Sequence, residues 1–331
     1  STPTAQRVFT SFVSPLFQPI MDAGTKVDVT VVRERTSVVA DLARNKPFSI
    51  KLNYDREQRH GSGGLSSNYL SYVTETPQVT EYLTQDTGVM AALDKPWGNL
   101  RASMHYNWFI DQVKSLTFDS PFRATDAVTA TVGTGTAATS VGGPTYGRMI
   151  NPPDNQASSG TLGATIRLAK NTRIVGDMSM SRMRQNDQLF PYITNTAVTT
   201  PFAGASASTL PTQALDGRIN SNGLVLAITS KPTEQLNLAV RFRRYELDNQ
   251  TPRITFPGIG SWDRSVGTAA RITVPYGYTS QRLDATVGYD LKLFTLEGGV
   301  RRQTIDRTFR EVEQTAETTG TAAIVMHLME N

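Results

Sequence analysis

The side chains here with chemistry to offer are three histidines, a few acid–base neighbours and two glycine-rich tracts; there is no cysteine. His60, His105 and His327 lie far apart, without an i, i+4 pair or an acidic base beside them. That spacing favours solvated or lumen-facing imidazoles over metal ligands. Without Cys the chain has no thiol nucleophile, no disulfide and no thiolate metal site, and it cannot itself carry covalently attached c-type haem. Gly133-Thr134-Gly135-Thr136-Ala137-Ala138 has glycines like those of a dinucleotide loop but follows no hydrophobic strand and precedes no helix. It reads as a flexible loop, and so does Gly61-Ser62-Gly63-Gly64. Neighbours such as Asp306-Arg307 and Arg310-Glu311 are the charge pairs of solvated strand ends. No G-x-S-x-G elbow occurs. The expectation is a protein that is not an enzyme, with no catalytic, cofactor-binding or metal-binding residues of its own.

The elements that would carry these residues are strands. Over 331 residues, 33 basic side chains stand against 29 acidic ones for a net charge of +4, and charged residues make up only 19%. No run approaches 18 consecutive apolar residues, which excludes a transmembrane helix in this sequence. No Lys/Arg cluster of the nucleic-acid-binding kind is present, so nucleic acid is not an expected partner. The informative signal has period two. Leu100, Ala102, Met104, Tyr106, Trp108 and Ile110 alternate with Arg101, Ser103, His105 and Asn107. Leu283, Ala285, Val287, Tyr289 and Leu291 alternate with Arg282, Asp284, Thr286, Gly288 and Asp290. The same pattern recurs over 48–55, 162–168 and 236–243. Successive side chains of a strand point to opposite faces, so each segment has one apolar and one polar face.

Short turns join these strands at one end: Arg44-Asn45-Lys46-Pro47, Lys95-Pro96-Trp97-Gly98-Asn99, Ala169-Lys170-Asn171-Thr172, Ser230-Lys231-Pro232-Thr233-Glu234 and Leu293-Phe294-Thr295. Long Thr-, Gly-, Pro- and Ser-rich segments join the other ends: Gly61 to Val79, Asp119 to Ser158, Asn186 to Leu215 and Asn249 to Thr279. Ten to twelve strands with alternating short turns and long loops give the reading of an all-β fold, an antiparallel transmembrane β-barrel with short periplasmic turns and long extracellular loops. Charges in mid-strand on the polar face (Arg167, Asp177, Arg241, Asp284) suit a wet lumen. Aromatics near strand ends (Trp97, Tyr106, Trp108, Tyr192, Tyr245, Phe294) suit interfacial girdles. The alternative on pattern alone is a soluble antiparallel β-sandwich surface protein, which would leave the apolar stripes as exposed patches unless a second sheet covered them.

Several stretches in series resemble one family. They run from Asn151-Pro152-Pro153-Asp154-Asn155-Gln156 through Met183-Arg184-Gln185-Asn186-Asp187-Gln188-Leu189-Phe190-Pro191-Tyr192-Ile193-Thr194, Leu215-Asp216-Gly217-Arg218 and Lys231-Pro232-Thr233-Glu234-Gln235-Leu236. Asn249-Gln250-Thr251-Pro252, Val274-Pro275-Tyr276-Gly277 and Ile305-Asp306-Arg307-Thr308 complete the series. Their order and spacing are similar to the middle of the decahaem-associated outer-membrane porins, the MtrB/PioB family, from about Val27 to Thr319.

The resemblance implies a bacterial outer-membrane barrel that sheathes a periplasmic multihaem (decahaem) c-type cytochrome and lets electrons cross the membrane. The haem belongs to the partner, and the chain has a structural and insulating role. An outer-surface multihaem cytochrome and the lipid bilayer are the further expected partners. Lumen-facing candidates for cytochrome contact are Arg101, His105, Arg167, Asp177, Arg241, Arg243, Asp284 and Asp290. A diffusion porin for small solutes is the competing function. Asp119, Asp126, Asp154 and Asp187 are available in the loops, without the spacing of a Ca²⁺ loop. Ten strands are too few for a lumen that holds a cytochrome. The expectation is therefore one β-barrel domain over 1–331, incomplete at both ends, with 1–26 as a poorly defined lead-in and a sheet whose edges need further strands.

Overall fold

The computed structural model describes residues 28–43, 47–68, 73–119, 125–132, 139–169, 171–191, 193–198, 210–256, 259–261, 265–267, 270–291 and 293–326. The lead-in, the Gly133–Ala138 tract, Tyr192 and His327 lie outside them. In chain order the strands are β1 (Val31–Leu42), β2 (Phe48–Asn68), β3 (Val73–Lys95), β4 (Gly98–Asp111), β5 (Ser115–Asp119), β6 (Ala127–Val132), β7 (Thr139–Gly143), β8 (Tyr146–Ile150), β9 (Asn155–Ala169), β10 (Thr172–Gln185), β11 (Gly217–Ser230), β12 (Leu236–Asn249), β13 (Thr255–Phe256), β14 (Ile259–Ser261), β15 (Ser265–Gly267), β16 (Arg271–Ile272), β17 (Tyr278–Asp290), β18 (Phe294–Arg307) and β19 (Gln314–Met326). Eleven of them form one antiparallel sheet in the order β1-β2-β3-β4-β9-β10-β11-β12-β17-β18-β19. Each long strand therefore pairs with the long strand before and after it in the chain. The other eight strands form small pairs: β5 with β8, β6 with β7, β13 with β16 and β14 with β15.

The register carries one apolar face across the whole sheet. Leu100 of β4 sits opposite Leu93 of β3 and Ala164 of β9, Met104 opposite Val89 and Gly160. Farther along, Ile174 pairs with Ile228, Ile228 with Val240, and Val240 with Ala285. Directly opposed residues point to the same side of a sheet, so these apolar positions form one continuous outward band next to the short turns. Water is a poor solvent for that band: Met104 is 67% exposed and Ile324 70%. The described buried hydrophobic residues are Ile193, Val198 and Ile254, and all three lie in loops. Total accessible surface is 22447 Å², against roughly 13,000 Å² for a compact soluble monomer of this mass. A single sheet, apolar outside and polar inside, with no second layer, is the wall of a membrane barrel and not a sandwich.

Three features differ from the sequence reading. Gly61 to Val79 is not a long loop, and Gly61-Ser62-Gly63-Gly64 is not a flexible tract: β2 and β3 pair without a break from Phe48↔Leu93 to Asn68↔Val73. Above the membrane both faces are polar, so the alternation fades while the backbone ladder continues. Gly61 permits this locally, since its φ is +138° and a Cβ there would meet the Thr30 carbonyl oxygen at 2.0 Å. Second, Asp119 to Ser158 is a folded hairpin extension rather than open loop, because β5 pairs with β8 and β9 already begins at Asn155. Third, Tyr245 is not a girdle residue. It shares the inward side of β12 with Arg241 and Arg243 and packs on Tyr278 at 5.6 Å between ring centroids.

Polar ties hold the two largest loops together. Asp126 accepts four hydrogen bonds: Oδ1 from the Thr145 amide (2.7 Å) and hydroxyl (2.9 Å), Oδ2 from the Thr196 amide (2.8 Å) and hydroxyl (2.5 Å). Asn195 Nδ2 donates to the Ala127 carbonyl at 2.7 Å, and Lys114 Nζ bridges Asp154 and Asp187. Partial burial pushes the Asp126 carboxyl up, but the four donors outweigh it and hold the group at about 2. Burial likewise opposes ionisation of Asp187, and the Lys114 ammonium overrides it to keep that carboxyl low.

Asp126→Asn is expected to weaken the tie between the loops by about 2 kcal/mol. Amide exchange at Thr145 and Thr196 should rise roughly thirty-fold while the strands keep their protection. The pH dependence has a definite sign. A carboxyl whose folded value lies near 2, against an ordinary 3.8, stabilises the loops fully above pH 3.8 and loses that contribution as pH falls through 2. Loop protection corrected for intrinsic exchange should therefore drop over that window in the native protein and not in the Asp126→Asn variant.

Candidate functional site

The face opposite the apolar band is polar from β1 to β19. All eight candidate residues lie on it, and the register brings seven of them into three groups and leaves His105 apart. Arg101, Asp177 and Arg243, together with Arg282, ring a shallow groove whose floor includes Gly163 and Gly223. These glycines make the groove by lacking a side chain: a Cβ at Gly163 would stand 2.9 Å from Asp177 Oδ1, and one at Gly223 would stand 2.5 Å from Ser179 Oγ. Arg167 and Asp290 line a second groove nearer the short turns, with Arg173, Asn237 and Glu297. His105 lies across from Gly88, where a Cβ would be 2.6 Å from the imidazole. Its Nδ1 is 3.4 Å from Asp86 Oδ1.

Asp284 is the centre of a basic cluster. Arg282 Nε reaches its Oδ2 at 2.8 Å and Arg301 Nε its Oδ1 at 2.7 Å, while Arg241 is its direct cross-strand neighbour. A second cluster, on β1 and β2, was not among the sequence candidates. Glu57 binds Arg33 Nη2 at 2.5 Å and Arg59 Nε at 2.7 Å, and Asp55 binds Arg35 Nη2 at 3.0 Å and the Ser37 hydroxyl. The pattern of Arg33, Arg35, Asp55, Glu57 and Arg59 does carry a period-two signal. It lies where the facing positions have become polar as well, so nothing in the alternation marks which side is inward. Only the pairing Arg35↔Glu57 and Ser37↔Asp55 sets it.

These clusters contribute little to folding, since ion pairs open to solvent are worth about 0–1 kcal/mol each. Their consequence is a surface that carries many charges of both signs and neutralises part of them locally. Such a face does not act as a filter for ions of one sign, as a ring of like charges does. No group of three or more metal-ligating side chains occurs among the described residues. Asp284→Asn should change the free energy of unfolding by less than about 1 kcal/mol in a denaturant titration, placing the cluster on the side of surface chemistry and not of stability.

A family model and a curated relative agree with this architecture. A family model described as a putative outer membrane beta-barrel porin, MtrB/PioB, matches residues 9–331. Outer membrane protein MtrB of Shewanella baltica is 24% identical over 307 residues, which cover 91% of this chain and 39% of that protein. The chain thus spans about two fifths of this relative's length. Among solved structures, the FrpB iron transporter from Neisseria meningitidis is 12% identical, with 93% of this chain and 45% of that chain covered and a TM-score of 0.46. The copper transporter OprC is 11% identical, with 92% and 50% covered and a TM-score of 0.39. With the family model covering nearly the whole chain and the sheet built as a lipid-facing wall, this chain belongs to the MtrB/PioB family of outer-membrane β-barrel porins.

Proposed function

We propose that the polar face of this sheet is part of the inner wall of a sheath around a periplasmic multihaem c-type cytochrome, through which electrons cross the outer membrane. The observation that carries the reading is the character of that face: shallow grooves floored by glycine and bordered by charged side chains of both signs, beside the Asp284 carboxylate held between Arg282 and Arg301. A folded protein partner needs a broad surface of mixed sign that it can match by charge and by hydrogen bonds. A selective pore needs a constriction of one sign. The family resemblance supports the same partner. Width supports it too. Eleven strands occur in a chain that spans about two fifths of its relative. At that density the longer protein would have well over twenty strands, a size at which barrels hold a folded plug.

In this reading the chain supplies no redox chemistry. The haems belong to the partner, and the barrel holds them in line, away from lipid and bulk water. The long loops on the outer side are where an outer-surface multihaem cytochrome would dock.

The test is an absorbance spectrum of the full protein extracted from native outer membranes in mild detergent. A c-type haem band that co-purifies in fixed ratio with this Cys-free chain is the expected result, and it can come only from a partner. Replacing Arg241 and Arg243 together by Glu should lower the haem-to-barrel ratio several-fold and make retention more sensitive to salt. A haem-free preparation that conducts ions across planar bilayers would overturn the sheath in favour of a diffusion porin.

A further inference from the structure

The outward face carries a second pattern, independent of what fills the lumen. On β12, counting from the short turn, the outward positions are Leu236, Leu238, Val240 and Phe242, and the fifth is Arg244. Counted from the first apolar outward residue, which is Phe48, Ile174 and Phe294 here and Leu100 on β4, the same step gives Arg56 on β2, Arg182 on β10 and Arg302 on β18. On β4 it gives Trp108. Every described long strand that rises from a short turn thus carries an arginine or a tryptophan at this step, with Ile110 following Trp108 on β4. Eight residues separate the first outward position from the fifth, about 26 Å of strand. At the usual barrel tilt that is a depth of roughly 20 Å, close to the height of an outer-membrane apolar band. The arginines therefore stand at the upper edge of the band, on the side of the loops, where the headgroups of the outer leaflet lie.

Both faces carry arginines with and without a carboxylate partner, and inward Arg101, Arg167, Arg241 and Arg243 form no salt bridge with a described residue. Inside, Arg33, Arg35, Arg59, Arg282 and Arg301 each bind a carboxylate. Outside, the cross-strand partners are neutral: Arg182 faces Ser158 and Asn220, Arg244 faces Leu224 and Gln281, and Arg302 faces Leu283 and Thr318. Arg56 faces Thr36 and Gln85 and donates to Gln58. The outward carboxylates on this side include Glu246, 3.2 Å from Arg244, Asp216, 2.7 Å from Arg218, Asp248 opposite Asn220, and Glu34 opposite Gln58. Arg182, Arg184 and Arg302 are exposed and form no salt bridge with any described residue.

One step beyond the edge of the band, Arg184 and Arg218 lie directly opposite each other. Like charges in that position repel unless an anion lies between them. Arg182, Arg184 and Arg218, beside Asn220, thus make a cationic patch at headgroup depth in which Asp216 pairs with Arg218 while Arg182 and Arg184 have no carboxylate partner among the described residues. A planar guanidinium flanked by neutral hydrogen-bonding side chains is suited to a phosphate monoester.

We propose that this arginine collar binds the phosphate groups of outer-leaflet lipopolysaccharide, with Arg182, Arg184 and Arg218 as its strongest site. The bound lipid would anchor the rim of the apolar band at the outer leaflet.

The test uses the full-length barrel in phosphatidylcholine vesicles doped with bisphosphorylated lipid A, or with lipid A from which both phosphates have been removed. The protein is re-extracted in mild detergent and retained lipid A is measured by mass spectrometry. Native protein should retain the bisphosphorylated lipid about ten-fold better than the dephosphorylated one, and millimolar inorganic phosphate should not displace it. The triple variant R182Q/R184Q/R218Q should lose that preference, with heat-modifiable gel migration confirming that it folds, whereas R241Q/R243Q on the inner face should keep it. Equal retention of the two lipids by native protein overturns the proposal without recourse to any variant. Displacement by inorganic phosphate overturns the lipid as the occupant. Unchanged preference in the folded triple variant overturns the site.

Discussion

A backbone amide inside a bilayer has no water to bond to, so every N–H and C=O at that depth must find a partner within the protein. That requirement organises this chain. It is met strand by strand in an eleven-stranded meander in which each long strand is paired on both sides, except β1 and β19, which have one described neighbour each. It also explains why the sheet needs no covering layer. Lipid serves as the solvent for one face and an aqueous or protein-filled lumen for the other, and the tightly buried hydrophobic residues among those described are confined to loops.

The same wall separates two electrostatic environments. Inward charges face a medium where opposite signs can be matched side chain to side chain, and the clusters at Glu57, Asp55 and Asp284 are built that way. Each pair adds little to stability, yet together they define a surface of mixed sign that suits another folded protein. Outward charges occur only beyond the apolar band. There Arg182 and Arg302 have neutral neighbours in register, and Arg184 faces Arg218. One chain thus presents charge of both signs to the lumen and an arginine-rich rim to the membrane surface, with period-two geometry keeping the two apart.

Above the membrane the rules change. Neither hydrophobic burial in lipid nor a lumen partner is available to the long loops, so they fold by local pairing and polar clasps. The Asp126 carboxylate gathers donors from both loops, and Lys114 draws together Asp154 and Asp187. The loop layer is consequently the part of the structure most responsive to pH and to single polar substitutions.

The fold class, the short turns around Pro96 and Pro232, and the inward side of Arg101, Asp177, Arg241 and Asp284 were all legible from alternation, because one period-two code states both where strands run and which way they face. That code fails where both faces are polar. The upper halves of β2 and β3, the hairpin of β5 with β8, and the Arg33–Glu57–Arg59 cluster are hidden for this reason, and Tyr245 reads as a girdle residue from its place near a strand end because aromatic rings serve at girdles and in lumens alike. Register, which no strand carries alone, decided the rest. It brings Arg101, Asp177 and Arg243 around one groove, from strands up to 142 residues apart in the chain, and it sets Arg184 opposite Arg218. A strand's sequence determines its two faces; only hydrogen bonding to its neighbours determines which side chains on those faces meet.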